Sequence, residues 1–406
     1  MGDMDLLKPV AMAGIPCAVM TRPGVPSLYS RHARTRLPWE DFSKDPEALL
    51  ETLLRFGKAQ NARPVLFYEE DAQPLFVSRH RERLKEAFRF VVADATLVED
   101  LLDKARFQDL AQRHGLPVPP SQHFHPVAAE PEDLDLAYPV ILKPLTRLER
   151  WNDTFGLRKD LEVEKSAALR ALWPQLLEAG ELLAQQLIAG PESQIESYHC
   201  YIDQTGAIPG EFTGRKIRTY PLCYGHTTAL ELTEAADVRQ LGRDIVERLK
   251  LFGVAKLDFK RDGAGKLHLL EINPRFTLWH HAAAVAGLNI PALVYADLTG
   301  TPRPAATRAK TGVRWVPGLE GSSGRPRRRR AADGVVVLVR RPRSEVNAVV
   351  ERSEPVCALD ASSPYGALTR SKFFSVRSDR DSAPSARWRG ETPPTRAARC
   401  RPQRRR

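Results

Sequence analysis

The sequence predicts an α/β protein that begins with a parallel-sheet domain, continues into a region of mixed helices and strands, and ends in a basic tail. Three observations lead to this prediction. Strand-like and helix-like patterns alternate over residues 1–97, a hairpin pattern with candidate metal-binding carboxylates occupies residues 254–275, and the composition changes sharply after residue 312. At 406 residues, the chain is long enough for two or three domains with their own cores.

The first 97 residues alternate between the periodicities of strands and helices. Residues 15–20 form a short apolar strand after a helix-like segment at 6–13, and residues 46–57 carry leucines at helical spacing. Residues 65–68 read as a buried strand, and residues 78–88 as another helix. This alternation predicts a parallel sheet, whose ligands lie beyond the carboxyl ends of its strands.

Residues 254–275 carry the most informative functional pattern. Residues 254–260 and 266–272 have strand character, and the turn sequence Asp-Gly-Ala-Gly lies between them. An antiparallel hairpin would bring Asp258 near Glu271, and strand alternation would place Glu271 and Asn273 on one face. Two carboxylates and an amide oxygen, with no cation at their centre, suit Mg²⁺, and Arg275 can hold an anion beside them. The alternative is a surface hairpin with solvated charges.

The string Glu-Ile-Asn-Pro-Arg at residues 271–275, preceded by Asp258, resembles the ATP-grasp superfamily of carboxylate–amine ligases. The resemblance implies that Asp258, Glu271 and Asn273 hold the Mg²⁺ ions, or Mn²⁺ in their place, that bridge the phosphates of ATP. It also implies that Lys256 and Arg275 contact the transferred phosphoryl group or the acyl phosphate.

The fold that the resemblance implies is an α+β grasp. It has a pre-grasp α/β domain at residues 1–97, a two-lobed ATP-grasp domain at residues 98–312, and the tail at residues 313–406. The family's usual first strand and glycine-rich turn would precede Leu6 and are absent. We therefore expect that the chain starts late or that its sequence is truncated.

Three segments precede the hairpin in the order typical of the family. They are a helix over residues 98–114 with Lys104 near its middle, a strand ending in Lys143 and Pro144, and a strand over residues 182–188. The resemblance implies that Lys104 and Lys143 lie along the ATP phosphates as point charges. It implies that Glu192 takes the ribose hydroxyls, and that the adenine edge meets the backbone of Gln185, Gln186, Leu187 and Ile188. A single lysine on a helix would otherwise be an ordinary solvated charge.

A second basic cluster lies at residues 215–218. Strand alternation would place Lys216 and Arg218 on one face, turned to the cavity if Ile217 belongs to the core. In the carboxylate–amine ligases a similarly placed pair approaches the carboxylate substrate or the acyl phosphate. The alternative is a solvated edge strand whose cations prevent aggregation.

The basic excess of the chain lies in its tail. Residues 301–406 hold 25 Lys and Arg and 9 Asp and Glu, whereas residues 1–300 hold 36 and 41, which gives net charges of +16 and −5. Nucleic acid would therefore bind only through the tail, if at all. Stretches rich in Gly, Ser, Pro and Arg favour disorder or a shifted reading frame over a selected arm, although residues 335–339 and 346–359 look ordered.

Cysteine content and hydropathy indicate a cytoplasmic protein without a membrane partner. The five cysteines are scattered and odd in number, which argues against a disulfide framework or a zinc knuckle. The N-terminus lacks the pattern of a secretory signal. Residues 276–296 lack Asp, Glu, Lys and Arg, but they contain His, Gly, Asn and Pro and are predicted to be a buried helix and loop rather than a membrane span.

These observations predict an ATP-dependent ligase that activates a carboxylate as an acyl phosphate for attack by an amine, with release of ADP and phosphate. The partners would be a small-molecule carboxylate and an amine, whose identities stay open, as does a homodimer. One alternative is a bicarbonate-using carboxylase or carbamoyl-phosphate-type enzyme. Another is a non-catalytic nucleotide-binding or basic RNA-binding protein, although the basic residues lack interleaved aromatic residues for base stacking.

Overall fold

The computed structural model describes residues 3–41, 44–145, 149–156, 160–220, 225–305, 308–316 and 335–338. Within these residues, the helices are α1 Asp3–Met12, α2 Pro46–Lys58, α3 Ala72–Arg79, α4 Arg81–Ala87, α5 Ala95–Leu102, α6 Lys104–Arg113, α7 Glu149–Phe155, α8 Ser166–Leu176, α9 Ala236–Arg248, α10 Trp279–Val285 and α11 Ile290–Thr299. The strands are β1 Cys17–Met20, β2 Ala33–Arg36, β3 Val65–Tyr68, β4 Ser121–Phe124, β5 Val140–Pro144, β6 Leu161–Val163, β7 Leu182–Gln186, β8 Ile195–Ile202, β9 Gly210–Tyr220, β10 His226–Thr233, β11 Gly253–Arg261, β12 Leu267–Asn273, β13 Arg314–Trp315 and β14 Val335–Leu338.

The N-terminal sheet has the strand order β2-β1-β14-β3. Strands β1 and β2 are parallel, and β14 is antiparallel to both β1 and β3, so the three strands from the first 68 residues run in one direction. The parallel arrangement of these strands follows the expectation from the sequence. The antiparallel strand β14 was not expected here, since its residues belong to the tail; residues 317–334 and 339–406 lie outside the described part.

Helices cover the N-terminal sheet on both faces, and every side chain of β1 is therefore buried. Val19 packs in one core cluster with residues of α1, and Met20 packs in another with the leucines of α2. Helix α2 begins where the Asp45 carboxylate accepts a hydrogen bond from the Ala48 N–H at 2.9 Å. A strand that is apolar on both sides is typical of such an α/β layer.

Two further sheets follow in the chain. The smaller has the order β4-β7-β5-β6 with antiparallel neighbours, and it packs against α8, where Phe124 and Trp173 stack at 5.5 Å between ring centroids. The larger has the order β12-β11-β8-β9-β10-β13. Alternation along β8 divides its core: Tyr198 packs with α9, whereas Tyr201 packs with α10 and α11.

The prediction of a single helix over residues 98–114 is wrong, because two helices, α5 and α6, meet at Asp103. Asp103 has an extended backbone, and its carboxylate accepts a hydrogen bond from the Arg106 N–H at 2.9 Å. An N-terminal cap of this kind starts a new helix, so Lys104 is the first residue of α6 and not a mid-helix residue.

The uncharged segment at residues 276–296 folds as helices and a connecting loop, as the sequence predicted. Helices α10 and α11 are largely buried and meet at an angle of 90°. Within the described residues, no helix by itself has the length and apolar character needed to cross a membrane, and only this bent pair meets the criterion jointly.

We predict that Gly214→Ala destabilises the chain. A Cβ at this position of β9 would lie 2.6 Å from the Trp279 ring and 2.8 Å from the Glu231 carbonyl oxygen, so helix α10 would have to move away from the sheet. Overpacking of this kind costs about 1–3 kcal/mol of unfolding free energy. Gly263→Ala is the matched control, because its Cβ would meet no atom within 4 Å. Equal urea midpoints for the two variants would contradict this packing.

Candidate active site

The hairpin of β11 and β12 brings the predicted acidic residues together. Asp258 lies opposite Glu271, and Lys256 lies opposite Asn273, so the four side chains share one face of the sheet. Beyond Asp258 the pairing shifts by one residue, and Phe259 lies opposite Leu269. This bulge returns Phe259 and Leu269 to the core face while the polar residues keep the other face.

The Asp258 carboxylate is the most enclosed charged group of this face. It is 2 % exposed; its Oδ2 lies 2.6 Å from Lys256 Nζ and 3.9 Å from Lys216 Nζ, and its Oδ1 accepts a hydrogen bond from the Ser197 hydroxyl. The expectation of an acidic centre without a cation is therefore wrong. Strand alternation places Lys256 on the same face as Asp258, and β9 brings Lys216 from the other side.

The lysines keep Asp258 charged. Burial alone would raise the pKa of its carboxyl group, but the charges of Lys256 and Lys216 and the hydrogen bonds from Lys256 and Ser197 outweigh burial. The pKa of Asp258 consequently lies well below its usual range. At neutral pH the site therefore presents an anionic oxygen flanked by two ammonium groups, which can meet either a metal ion or phosphate oxygens.

Glu271 and Asn273 lie toward the open end of the same face. Glu271 is exposed, and its Oε1 accepts a hydrogen bond from Asn273 Nδ2 at 3.0 Å. Asn273 Oδ1 accepts from Arg275 Nη2 at 3.3 Å. Arg275 was expected to hold an anion beside the metal ligands. Its guanidinium instead donates hydrogen bonds to Asp71 and to the Glu69 carbonyl oxygen, just after β3.

The second basic cluster is divided between two environments. Lys216, whose place at the site stays a prediction, lies with Nζ 3.9 Å from Asp258 Oδ2. Arg218 is exposed, and its Nε donates to Thr228 Oγ1 on the neighbouring strand at 3.0 Å. The condition placed on Ile217 is not met, since this side chain is 43 % exposed rather than part of the core.

The residues predicted to bind the nucleotide phosphates form a cluster on the smaller sheet. Lys143, at the end of β5, donates from Nζ to Gln185 Oε1 at 2.8 Å. Lys104, at the start of α6, donates to the carbonyl oxygen of Pro144, the residue that follows Lys143. The structure therefore brings Lys104, Lys143 and Gln185 together, although 81 residues separate the first from the last.

The segment expected to read the adenine edge is already partly hydrogen-bonded. The Gln186 N–H donates to Pro120 O at 2.8 Å, and the Leu187 N–H donates to Pro139 O at 2.9 Å. An adenine edge would therefore have to meet other backbone groups of this segment, which ends at the buried Ile188. Glu192 opens a 3-10 turn four residues later and is half-buried.

Sequence reasoning missed the residues that β8 contributes. Ser197 and His199 are fully buried on the site face, opposite Asp258 and Lys256, respectively. Burial and the neighbouring His280 and Lys256 hold the pKa of His199 well below its usual range, so the ring is neutral at pH 7. Polar residues at alternate positions between large apolar ones in β8 were the available signal.

Aromatic side chains form the floor of this face. His199 stacks on Phe212 at 4.4 Å between ring centroids, and the Trp279 ring lies 5.1 Å from His199. The Lys256 ammonium lies 5.7 Å from the centroid of the Trp279 ring, within the range of a cation–π contact. These rings exclude water beneath the charged groups.

The oxygen donors fit a Mg²⁺ ion that is shared with a nucleotide. In the described part of the chain, no group of three or more His, Cys, Asp or Glu residues could hold a metal. Asp258 and Glu271 lie opposite each other in the hairpin, however, and the Asn273 oxygen lies on the same face. Mg²⁺ typically takes one or two carboxylates and completes its octahedron with phosphates and water, so this donor set matches its preference.

Comparisons with known proteins agree with the resemblance seen in the sequence. Residues 211–319 match the family model described as ATP-grasp in the biosynthetic pathway with Ter operon. The chain is 25% identical over 287 residues to D-aspartate ligase of Enterococcus faecium, covering 67% of this chain and 68% of that protein. It is 26% identical over 213 residues to D-alanine–D-alanine ligase of Neisseria meningitidis serogroup B, covering 48% and 65%.

Solved structures show the same fold. An ADP complex of N5-carboxyaminoimidazole ribonucleotide synthetase superposes with a TM-score of 0.58 at 14% identity, covering 75% of this chain and 76% of that one. An L-amino acid ligase from Bacillus licheniformis superposes with a TM-score of 0.57 at 15% identity, covering 82% and 89%. At these identities the likeness concerns the ATP-grasp fold alone.

We predict that Asp258→Asn strongly destabilises the chain in the absence of Mg²⁺ and nucleotide. The change leaves the buried Lys256 without its anionic partner, and breaking a buried pair costs about 3–5 kcal/mol of unfolding free energy. The matched control is Glu271→Gln, which makes the same carboxylate-to-amide change at an exposed position and should alter stability little.

The effect of Asp258→Asn depends on pH in a defined direction. Because folding lowers the pKa of Asp258, its carboxylate stabilises the folded chain above the unfolded-state value of about 3.9. This contribution is lost as the pH falls toward the folded-state value. Urea unfolding should therefore give a larger difference between wild type and variant at pH 7 than at pH 3. Equal differences at the two pH values would contradict the charge pairing.

Proposed function

We propose that this chain, an ATP-grasp protein of the carboxylate–amine ligase type, uses ATP to join an amino acid to a second small molecule through an amide-type C–N bond. The observation that carries the proposal is the shared face of the hairpin, where Asp258, Glu271 and Asn273 lie beside Lys256 and Lys216. Oxygen donors for a metal ion next to ammonium groups for phosphate are the two requirements of phosphoryl transfer from ATP.

The reaction proceeds in two steps. A carboxylate oxygen of the first substrate attacks the γ-phosphorus of ATP, which forms an acyl phosphate and releases ADP. The neutral amine of the second substrate then attacks the acyl carbon and the new C–N bond forms. The C–O bond to phosphate breaks, inorganic phosphate leaves with the carboxylate oxygen, and the nitrogen loses a proton to solvent. Both steps move negative charge onto phosphate oxygens, so the chain contributes mainly by positioning and by electrostatic stabilisation.

Lys256 and Lys216 would neutralise the charge of the transferred phosphoryl group. Both ammonium groups lie at the Asp258 carboxylate, at 2.6 and 3.9 Å from Nζ to Oδ2, so their charges are directed at one point on the face. Arg218 and Arg275 belong to the same proposal in supporting positions. Arg218 lies two residues beyond Lys216 on β9, where it bonds Thr228, and Arg275 borders Asn273; each would add positive charge near the substrate.

Asp258, Glu271 and Asn273 would hold Mg²⁺, with Mn²⁺ as a replacement. When bound, the ion neutralises phosphate charge and orients the terminal phosphate. Ser197 fixes the Asp258 carboxylate by donating a hydrogen bond to Oδ1, which leaves Oδ2 directed at the charged groups.

The nucleotide would lie along the smaller sheet. Lys104 and Lys143 contact its α- and β-phosphates, and the backbone of residues 185–188 borders the adenine. That segment consists of Gln185, Gln186, Leu187 and Ile188. Glu192 takes the ribose hydroxyls. Support comes from the joint placement of Lys104 at Pro144 and of Lys143 at Gln185.

The substrate class is inferred from the relatives. The names of two curated relatives, D-aspartate ligase and D-alanine–D-alanine ligase, identify amino acids as their substrates. The matched region spans 68% and 65% of those proteins, so the identities of the carboxylate and the amine are proposals for this chain. We place a D- or L-amino acid as one of the two substrates.

The domain division and the cellular setting are also proposals. Residues 1–97 form the pre-grasp domain and residues 98–312 the ATP-grasp domain, with strand β14 completing the first sheet from the tail. We place the enzyme in the cytoplasm, where buried thiols such as those of Cys17 and Cys200 stay reduced. The acidic charge of the main body supports a function that does not involve nucleic acid, and a homodimer is compatible with it.

A screen for ADP release tests the proposal. D- and L-amino acids are offered singly and in pairs with Mg-ATP, and the products are analysed by mass spectrometry. The expected result is ADP formation that requires one carboxylate and one amine, together with a product whose mass equals their sum minus water. ADP formation that depends on bicarbonate and not on an amine would instead favour the carboxylase alternative.

We predict that Glu271→Gln lowers the rate of ADP formation about a hundredfold while the fold stays intact. The variant replaces an anionic oxygen donor with a neutral amide, which removes transition-state stabilisation that the metal would supply, about 3 kcal/mol or a hundredfold in kcat. Glu247→Gln, an exposed carboxylate on α9, is the control. A folded Glu271→Gln enzyme with wild-type kcat would remove Glu271 from the site.

We further predict that Lys104→Ala and Lys143→Ala raise the KM for ATP by about tenfold each, since a lost charge–phosphate contact is worth roughly 1.4 kcal/mol. The KM for the amino acid should change less, because these lysines lie away from the reacting carboxylate. Lys85→Ala, an exposed helix position, is the control. Unchanged nucleotide affinity in both variants would exclude this cluster as the phosphate site.

A further inference from the structure

A row of hydrogen bonds joins Asp71 to Glu271. Arg275 donates from Nε and Nη2 to Asp71 Oδ1, at 2.8 and 2.5 Å, and from Nη2 to Asn273 Oδ1 at 3.3 Å. Asn273 in turn donates from Nδ2 to Glu271 Oε1 at 3.0 Å. Guanidinium has only donors, so the Asn273 amide must turn its oxygen to Arg275 and its NH₂ group to Glu271.

This row of hydrogen bonds connects the N-terminal sheet with the large sheet, through residues that are far apart in the sequence. Asp71 follows β3 of the N-terminal sheet, whereas Arg275 follows β12 of the large sheet, 204 residues later. Arg275 Nη1 donates to the carbonyl oxygens of Glu69 and Phe276, at 2.8 and 3.2 Å. The guanidinium is thus held on all of its nitrogen atoms, and its side chain is only 17 % exposed.

Asp71 determines which way this guanidinium is drawn. Besides Asp71, the charges of Glu70 and Glu271 attract Arg275. If the Asp71 charge were removed, the attraction of Arg275 to Glu271 would become a larger share of the total attraction that the remaining carboxylates exert on it. Arg275 would then compete with a metal ion for the Glu271 carboxylate, and the Asn273 amide would lose the donor that fixes its oxygen.

We propose that Asp71 is a positioning residue for the metal-binding face, acting through Arg275 on the Asn273 amide and the Glu271 carboxylate. The inference rests on the proposed function, because it concerns the metal that the ligase reaction requires. The Arg275 donor and the Glu271 acceptor hold opposite ends of the Asn273 amide, so without the donor the amide oxygen is held only through the bond from Nδ2 to Glu271. Groups that orient metal ligands in this way commonly alter metal affinity when they are removed.

The exposure of Asp71 separates this role from a structural one. Its side chain is 74 % exposed, and an exposed carboxylate contributes little to stability as an ion-pair partner. A purely structural ion pair therefore predicts at most a loss of stability, from the 17 % exposed Arg275, and no change in metal affinity. A positioning role predicts weaker metal binding in a chain that is otherwise as stable as the wild type.

The test measures Mn²⁺ binding by electron paramagnetic resonance in the presence of ADP, using the full-length chain. Asp71→Asn should weaken Mn²⁺ binding by about tenfold or more, the loss typical for removal of a group that orients metal ligands. Asp71→Glu should recover part of the affinity, because a carboxylate again faces Arg275. Glu70→Gln is the matched control, since it removes the same charge from the neighbouring position.

The outcomes separate the two proposals. Equal Mn²⁺ affinity for Asp71→Asn and Glu70→Gln would overturn the positioning role alone, as would a loss of affinity accompanied by a matching fall in the unfolding temperature. A wild-type chain that binds no Mn²⁺ with ADP would overturn the proposed function, and the role of Asp71 with it. With activity as a second readout, Asp71→Asn should raise the Mg²⁺ concentration needed for half-maximal ADP release.

Discussion

The candidate site depends on the register of one hairpin. Pairing of Asp258 with Glu271 and of Lys256 with Asn273 places four polar side chains on one face of β11 and β12. A slip of β12 by one residue would turn Glu271 and Asn273 toward the core and Leu269 toward the polar face, while β8 holds β11 in place. The apolar residues of the opposite face therefore maintain the geometry of the polar ones, and the bulge after Asp258 lets both faces keep their partners.

The charges on this face balance each other in the absence of ligand. Lys256 and Lys216 keep Asp258 ionised although it is buried, and the aromatic floor excludes water beneath them. The same ammonium groups can turn to phosphate oxygens when a nucleotide and a metal ion arrive. A site of this kind is pre-organised by buried ion pairs, and it is sensitive to the loss of either member of a pair.

The local parts of the structure could be predicted from the sequence, and the long-range contacts could not. The hairpin followed from its turn and alternation, and the resemblance to ATP-grasp ligases, which the comparisons confirm, followed from residues 258–275. The break between α5 and α6 at Asp103 was not predicted, because a capping aspartate inside an amphipathic pattern looks like an ordinary helix residue. The contacts of Arg275 with Asp71 and of Asp258 with Ser197 depend on how distant strands meet, which periodicity does not encode.

An ¹⁸O label tests most directly whether the chain activates a carboxylate as an acyl phosphate. An amino acid labelled with ¹⁸O in its carboxylate is ligated with unlabelled Mg-ATP in unlabelled water, and the inorganic phosphate is analysed by mass spectrometry. If the carboxylate is activated as an acyl phosphate, one ¹⁸O atom appears in each phosphate released, because the carboxylate oxygen leaves with phosphorus when the amine attacks. Phosphate without label would mean that water receives the phosphoryl group, and that ATP hydrolysis is not coupled to activation of the carboxylate.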